Sequence, residues 1–295
     1  MPVLYHCANS VQDAIISIIA SFSIKSVFVE KGMTSGSTYA SFARGESDFL
    51  TTYNAYIGWK KASKGGTGQQ FCYRFHLNQV QLQQLEEQKL QLLINLTEAG
   101  LVAFDAEESA ALHRVRSSRS RSLFFEVPVR FEGWSNDVTV AAVIAVALYP
   151  RLLKREGHGY RNVYTNQHLQ LVSTSINRIS SKPPPWLAYL EATQAKNGKL
   201  NAFHTSPITQ AMLSLLLGEA GFKFYAGVIE IDNGRVRLSL RTWRKMLAVC
   251  RLRSHVNGVI NNFFLRPQIP LGEADQRWLK LMANALDGTP QSRVH

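Results

Sequence analysis

The sequence predicts an α+β protein: an N-terminal helical bundle, then a small β-barrel, then a helical C-terminal extension. Three observations predict it. Apolar residues recur at helical spacing through the first hundred positions. The period then shifts towards two, in short Val-, Tyr-, Phe- and Leu-rich runs bounded by Gly, Asn or Pro. Two further helical patterns close the chain. At 295 residues, 45% apolar and 18% charged, the chain is long and apolar enough to bury a substantial core.

Asn9 or Ser10 can cap a first helix, in which Val11, Ala14, Ile15, Ile18, Ile19 and Phe22 share a face. Residues 31–37, with two Gly and two Ser, read as a loop. A second helix starts at Ser47–Asp48 and carries Leu50, Tyr53, Ile57 and Lys61 on one side until Gly65–Gly68 interrupts it. The third, 79–99, has a stripe of Leu82, Leu85, Lys89, Leu92, Leu93 and Leu96 and ends at Gly100. The run HRVRSSRSRS (113–122) reads as an exposed basic loop, with a phosphorylatable Arg-Ser switch as the alternative. Strands are expected at 124–129, 160–164, 168–172, 187–195, 224–231 and 236–240, and helices at 138–148, 207–217, 242–264 and 273–286. Asp232-Asn233-Gly234 marks a hairpin, because Asn-Gly accepts the positive φ of a type I′ turn. Short strands with single interspersed helices suit an OB-type barrel.

Charge narrows the function classes. The excess of 33 Lys and Arg over 21 Asp and Glu makes the chain +12, but unevenly. Residues 1–112 hold 8 basic and 10 acidic side chains, a net −2; residues 113–295 hold 25 and 11, a net +14. Such asymmetry favours a polyanionic partner. Cys7, Cys72 and Cys250 are too few and too scattered for a disulfide framework or zinc ribbon. The sequence has no signal-peptide pattern, and its longest apolar run is too short to span a bilayer, so an intracellular protein, cytoplasmic or nuclear, is expected, with no membrane partner.

Catalytic motifs are missing. The glycine-containing loops at 32–38 and 64–68 lack the lysine of a phosphate-binding loop, and neither HExxH nor GxSxG occurs. The eight histidines are scattered; His158 sits in a GHG tripeptide, and His76 and His204, beside aromatics, read as packing residues. No catalytic residue, metal ligand or cofactor is therefore assigned.

The basic positions say more. Arg151, Lys154, Arg155 and Arg161 flank the Gly157–Gly159 turn, interleaved with Tyr149, Tyr160 and Tyr164. Arginine and lysine neutralise phosphates and tyrosine faces stack on unpaired bases, so Arg151, Lys154, Arg155, Tyr160, Arg161 and Tyr164 are the candidate RNA contacts. Arg235, Arg237, Arg241 and Arg244 form a secondary cluster, continued by Lys245, Arg251 and Arg253, which equally fits the solvated face of a helix opposite Met246, Val249 and Leu252.

Residues 47–62, SDFLTTYNAYIGWKKA, followed by QFCYRFHLNQVQLQQLEEQKLQLL, resemble the helicase-associated region of DEAH/RHA-type RNA helicases. Asp48, Leu50, Asn54, Trp59, Cys72, Leu77, Leu82 and Leu92 carry the match. SIIASFSIKSVF (17–28) is similar to the family's preceding helix, with Val27 where proline is usual. Residues 140–150 resemble the helix that enters the family's OB-fold, with Ala147 in place of glycine. Residues 160–177 resemble the strand pair that follows, with Val172-Ser173-Thr174-Ser175 replacing the family's His-Pro-Ser-Ser. Residues 227–244 are similar to the C-terminal extension of RHA-like members.

The resemblance implies a ratchet-like helical bundle at 1–104, a basic Arg/Ser linker at 105–122, an OB-fold domain at 123–222 and a C-terminal hairpin and helical extension at 223–295. It implies an RNA-binding accessory region that helps form the RNA channel and couples motor movement to translocation. The expected partners are single-stranded RNA, RecA-like motor domains and a protein activator. The motor domains and a winged-helix segment have no counterpart in these residues, so ATP and Mg belong to a full-length parent, which would be the ATP-dependent helicase. The rival expectation is a stand-alone protein-interaction platform, docking an activator or a ribosome, with RNA contact incidental.

Overall fold

The computed structural model describes residues 9–29, 35–102, 104–118, 123–127, 136–195, 198–240, 242–266, 269 and 271–288. Six helices come first: α1 (Asn9–Ser21), α2 (Ser35–Ser41), α3 (Asp48–Lys64), α4 (Gly68–Arg74), α5 (Gln79–Glu98) and α6 (Ala106–Ser117). α5 begins where the Asn78 side chain accepts from the N–H groups of Val80 and Gln81, and buries Leu82, Leu85, Lys89, Leu90 and Leu93. Trp59 and Tyr56 of α3 fill the centre of the bundle with Leu82, Leu85, Cys72 and Phe42.

Three sequence expectations change here. Serine-rich 35–41 is helical, so the expected loop at 31–37 gives way to α2 at Ser35, and 31–34 lie outside the described residues. The expected exposed loop at 113–122 is, through Ser117, the end of α6. Asp105 and Glu108 close a reciprocal capping box, Glu107 and Glu108 sit at the positive end, Arg114 and Arg116 at the negative end, and Leu112 is buried. Residues 119–122 lie outside the described residues. The expected strand at 124–129 is absent over 124–127, and 128–129 lie outside the described residues. Its aromatic pair covers the bundle instead: Phe124 meets Trp59 edge to face at 5.6 Å, and Phe125 packs on Phe104.

α7 (Asp137–Leu148) is apolar all round and buried accordingly. It touches α1, two barrel strands and two of the helices that follow the barrel, and its core residues run into theirs without a break. The barrel comprises β1 (Leu152–Glu156), β2 (Gly159–Asn162), β3 (His168–Leu171), the short helix α8 (Ile176–Ile179), β4 (Trp186–Gln194) and β5 (Leu200–Pro207), closed in the order β1-β2-β3-β5-β4. Among the described residues, only β3 and β5 pair in parallel. Leu153, Tyr160, Leu169, Leu171, Leu187, Tyr189 and Ala202 fill its interior.

α9 (Gln210–Leu216) leads to an antiparallel sheet of β6 (Ala220–Lys223), β7 (Val228–Ile231) and β8 (Val236–Ser239). The expected hairpin is present, with Asn233 at φ 55° and Gly234 at φ 84°. The expected strand over 224–231 is interrupted, because Phe224–Ala226 forms a 3-10 turn closed by left-handed Gly227. α10 (Trp243–Leu265) and α11 (Glu273–Asp287) complete the structure. Among the described residues no helix is long and apolar enough to cross a membrane.

Two buried polar clusters hold the parts together. Asp48, 1% exposed in the first turn of α3, reaches the barrel. Its Oδ2 accepts from the Thr205 N–H (2.8 Å), the Thr205 hydroxyl (2.9 Å) and the Ser175 hydroxyl (2.9 Å), and its Oδ1 from the Ile176 N–H (3.0 Å). Inside the bundle, fully buried Lys89 donates to Asp13 at 2.5 Å and to the Tyr56 hydroxyl at 3.3 Å, and Tyr56 in turn donates to Glu86. Burial pushes the Asp13 carboxyl up, but the adjacent Lys89 ammonium outweighs it and holds the group below its usual value.

Asp48→Ala strips an acceptor from several buried donors at about 1–3 kcal/mol each, so stability should fall by about 3 kcal/mol or more, measured by urea titration. Lys89→Met leaves a buried carboxylate unpaired and should cost about 3–5 kcal/mol. Because Asp13 is depressed in the folded state, its stabilisation is complete above about pH 4 and vanishes as pH falls through the folded value. Urea titrations between pH 5 and pH 2 should therefore show a shallower acid loss in Lys89→Met than in the wild type.

Candidate nucleic-acid interface

β1 and β2 meet at a tight turn in which Gly157 takes φ 58° and Glu156 faces Gly159 across the strands. Alternation along β1 sends Leu153 into the barrel and brings Arg155 out at its mouth, on the same side, while Lys154 faces outward beside its cross-strand partner Arg161. The turn, β3 and the β4–β5 turn line two adjoining concavities. The first, about 250 Å³, is walled by Arg155, His158, Gln170, Asn177, Arg178 and Pro183. The second, about 500 Å³, is walled by Glu156, His158, Gln167, His168, Gln170 and Lys199. His158, Gly159 and Gln170 belong to both, so the two form one groove.

The residues singled out in the sequence divide among different tasks. Arg155 lines the groove and donates to the Pro183 carbonyl at 3.3 Å. Lys154 is exposed, its ammonium 5.6 Å from the Trp186 ring centre. Arg161 spends its guanidinium on neighbours: Glu156, Asn166 Oδ1 at 2.9 Å and His168 Nε2 at 2.7 Å. That hydrogen bond keeps the Glu156 carboxyl below its usual value. Arg151 donates to the Leu190 carbonyl. Tyr160, expected to offer a stacking face, is instead packed in the barrel, because alternation on β2 turns it inward. Burial pushes its hydroxyl up to about 12, and that hydroxyl donates to the Pro184 carbonyl at 2.9 Å.

Tyr164 serves a junction. Its hydroxyl donates to Asp232 at 2.5 Å and meets the hydroxyl of Tyr149, which also bonds Asp232. Asp232 Oδ1 accepts the Glu219 N–H at 2.7 Å, and Arg235 covers the Tyr164 ring at 5.3 Å. Burial raises the Asp232 carboxyl, but the two phenols and the Glu219 amide more than reverse this. In the secondary cluster, Arg237 pairs with Glu230 at 3.1 Å and Arg244 lies 5.7 Å from the Trp243 ring centre; Arg241 lies outside the described residues.

Sequence reasoning missed His168, Gln170, Asn177, Arg178 and Lys199 as groove residues. They converge only through the β2–β3 and β3–β5 pairings and through the turn into α8. His158 had a local signal, the GHG tripeptide, and the turn explains it. Asn177 donates from Nδ2 to Thr205 Oγ1 at 2.8 Å, while its buried Oδ1 has no hydrogen-bond partner among the described residues.

The Asp232 junction is structural, so Asp232→Ala should lower stability by about 1–3 kcal/mol by urea titration, and Asp232→Asn, which keeps one acceptor oxygen, by less.

Comparison with known proteins agrees with this geometry. Residues 140–220 match the oligonucleotide/oligosaccharide-binding (OB)-fold family. The chain is 27% identical to the DExH-box ATP-dependent RNA helicase DExH3 of Arabidopsis thaliana over 88% of its own length and 20% of that protein's. It is 24% identical to DExH1 of the same plant over 76% of its length and 21% of that protein's. It is 30% identical to the ATP-dependent DNA/RNA helicase DHX36 of Bos taurus over 48% of its length and 13% of that protein's. The chain thus spans about a fifth or less of these relatives. It carries an OB-fold of the kind found in DEAH/RHA helicases and is similar over most of its length to DExH-box ATP-dependent RNA helicases.

Proposed function

We propose that this chain is an accessory region of a DExH-box RNA helicase and that its barrel binds single-stranded RNA in the groove between the β1–β2 turn, β3 and the β4–β5 turn. The observation that carries this reading is the groove itself. It lies on the face, and between the turns, that OB-folds use for oligonucleotides. Arg155, Arg178 and Lys199 stand around it, and its acidic neighbour Glu156 is engaged by Arg161. Such a surface attracts phosphates, while the amide of Gln170 and the imidazoles of His158 and His168 offer hydrogen bonds to base edges.

Within a full-length helicase the bundle and barrel would close the RNA channel over RecA-like motor domains and pass ATP-driven movement on to the strand. ATP and Mg are assigned to those motor domains, so the isolated chain should bind RNA without hydrolysing ATP.

Fluorescence anisotropy with a labelled oligouridylate tests the binding. Affinity should fall steeply with salt as counterions are displaced. Arg155→Glu should weaken binding and flatten the plot of log Kd against log salt by about one unit, with an unchanged melting temperature as the folding control. An affinity indifferent to salt would refute the reading. If charge reversal at Lys154, Arg155 and Arg161 left RNA affinity intact but abolished capture of a protein partner, the interaction-platform reading would replace it.

A further inference from the structure

A second surface, outside the barrel, has an unusual composition. Tyr225 is 91% exposed, Trp243 61% and Phe224 44%. Phe224 and Tyr225 belong to the 3-10 turn between β6 and β7, and Trp243 opens α10. The fold brings these segments together. Gly227, which closes the turn, accepts the Leu240 N–H at 2.8 Å, and Leu240 lies three residues before Trp243. Solitary exposed aromatics are ordinary; three on two adjoining segments are not.

The charge around them has one sign. Residues 223–253 contain eight Lys and Arg against two acids, Glu230 and Asp232, and of the eight only Arg253 is buried among the described residues. Glu230 is held between Lys223 at 2.7 Å and Arg237 at 3.1 Å, and Asp232 is engaged in the tyrosine junction. Arg244 and Lys245 remain exposed beside Trp243, the Arg244 guanidinium stacked near its ring.

We infer that this ledge is a second contact for single-stranded RNA, on which unpaired bases stack against Tyr225 and Trp243 while Arg244 and Lys245 hold the intervening phosphates. It rests on the RNA-binding reading above and extends it to a surface beyond the groove. The combination decides for nucleic acid: every base has a π-face that an exposed ring can take, and the backbone between bases supplies the negative charge. An acidic peptide would satisfy the cations and leave the rings without a task.

The test uses the whole chain, with a 4-thiouridine-substituted oligouridylate as the probe. Irradiation should crosslink the probe to Tyr225 or Trp243, located by mass spectrometry. The double variant Tyr225→Ala/Trp243→Ala should bind at least about fivefold more weakly, with the salt slope unchanged because no charge is lost. Tyr225→Phe/Trp243→Phe, which keeps the rings, should bind nearly as the wild type does. Wild-type affinity in the alanine variant and no crosslink at these residues, while Arg155→Glu still weakens binding, would overturn the ledge and leave the groove standing. No RNA binding by the wild type would overturn both. Displacement of the probe by poly-glutamate, without a crosslink at the ledge, would assign the surface to an acidic protein and also overturn the inference.

Discussion

The architecture depends on one buried carboxylate. Asp48 belongs to the bundle by sequence and to the barrel by its hydrogen bonds, accepting from Ser175, Ile176 and Thr205. Four neutral donors converge on it from two barrel segments, so its position relative to α3, α8 and β5 leaves little geometric freedom. A carboxylate at this depth is costly unless its lone pairs are satisfied, and only the docked arrangement satisfies them. The apolar helix α7 reinforces the union by contributing to a core that bundle, barrel and C-terminal helices share. Bundle and barrel are therefore separate in topology and joined in energetics.

Against that frame the basic residues fall into two kinds. Lys89, Lys60 and Arg253 are buried and spend their charge inside the fold, on Asp13, on the Phe125 carbonyl and on the carbonyls ending α9. Arg161, Lys223 and Arg237 are tied to carboxylates on the surface. The ion pairs cancel within the formal +12, and among the described residues the cations that line the groove and flank Trp243 are two of several exposed basic sites on the surface.

Much of this was legible in the sequence, and the exceptions have physical causes. α3, α5, α10 and α11 announce themselves through apolar spacing, α7 through a continuous apolar run, and the β7–β8 hairpin through Asn233-Gly234, because these signals are local. β1 is hidden because LLKRE shows no alternation of apolar and polar residues: Leu152 and Leu153 are buried on opposite sides of the strand, and Lys154, Arg155 and Glu156 are exposed. α6 was missed because its arginines and serines look like a solvated loop, whereas Asp105, Glu108 and Leu112 make the helix. Tyr160 shows the limit most directly. Its neighbours in sequence are basic, and the decision to turn it inward is made by its pairing with Leu169 across β2 and β3. Likewise Asp48 is recognisable as a helix start, but its partners lie 127 to 157 residues away.

The end of α9 shows how time enters the fold. This helix has seven residues, too few to persist alone, and its last turn is closed from outside by Arg253, which donates to the carbonyls of Ser214, Leu217 and Gly218. The closing side chain is encoded 35 to 39 residues downstream of the groups it satisfies. During vectorial synthesis the barrel strands leave the ribosome first and α9 follows with its carbonyls open. Only when α10 emerges and docks is the segment flanking β5 completed. The C-terminal extension thus completes the hydrogen bonding of a helix whose own sequence leaves it open.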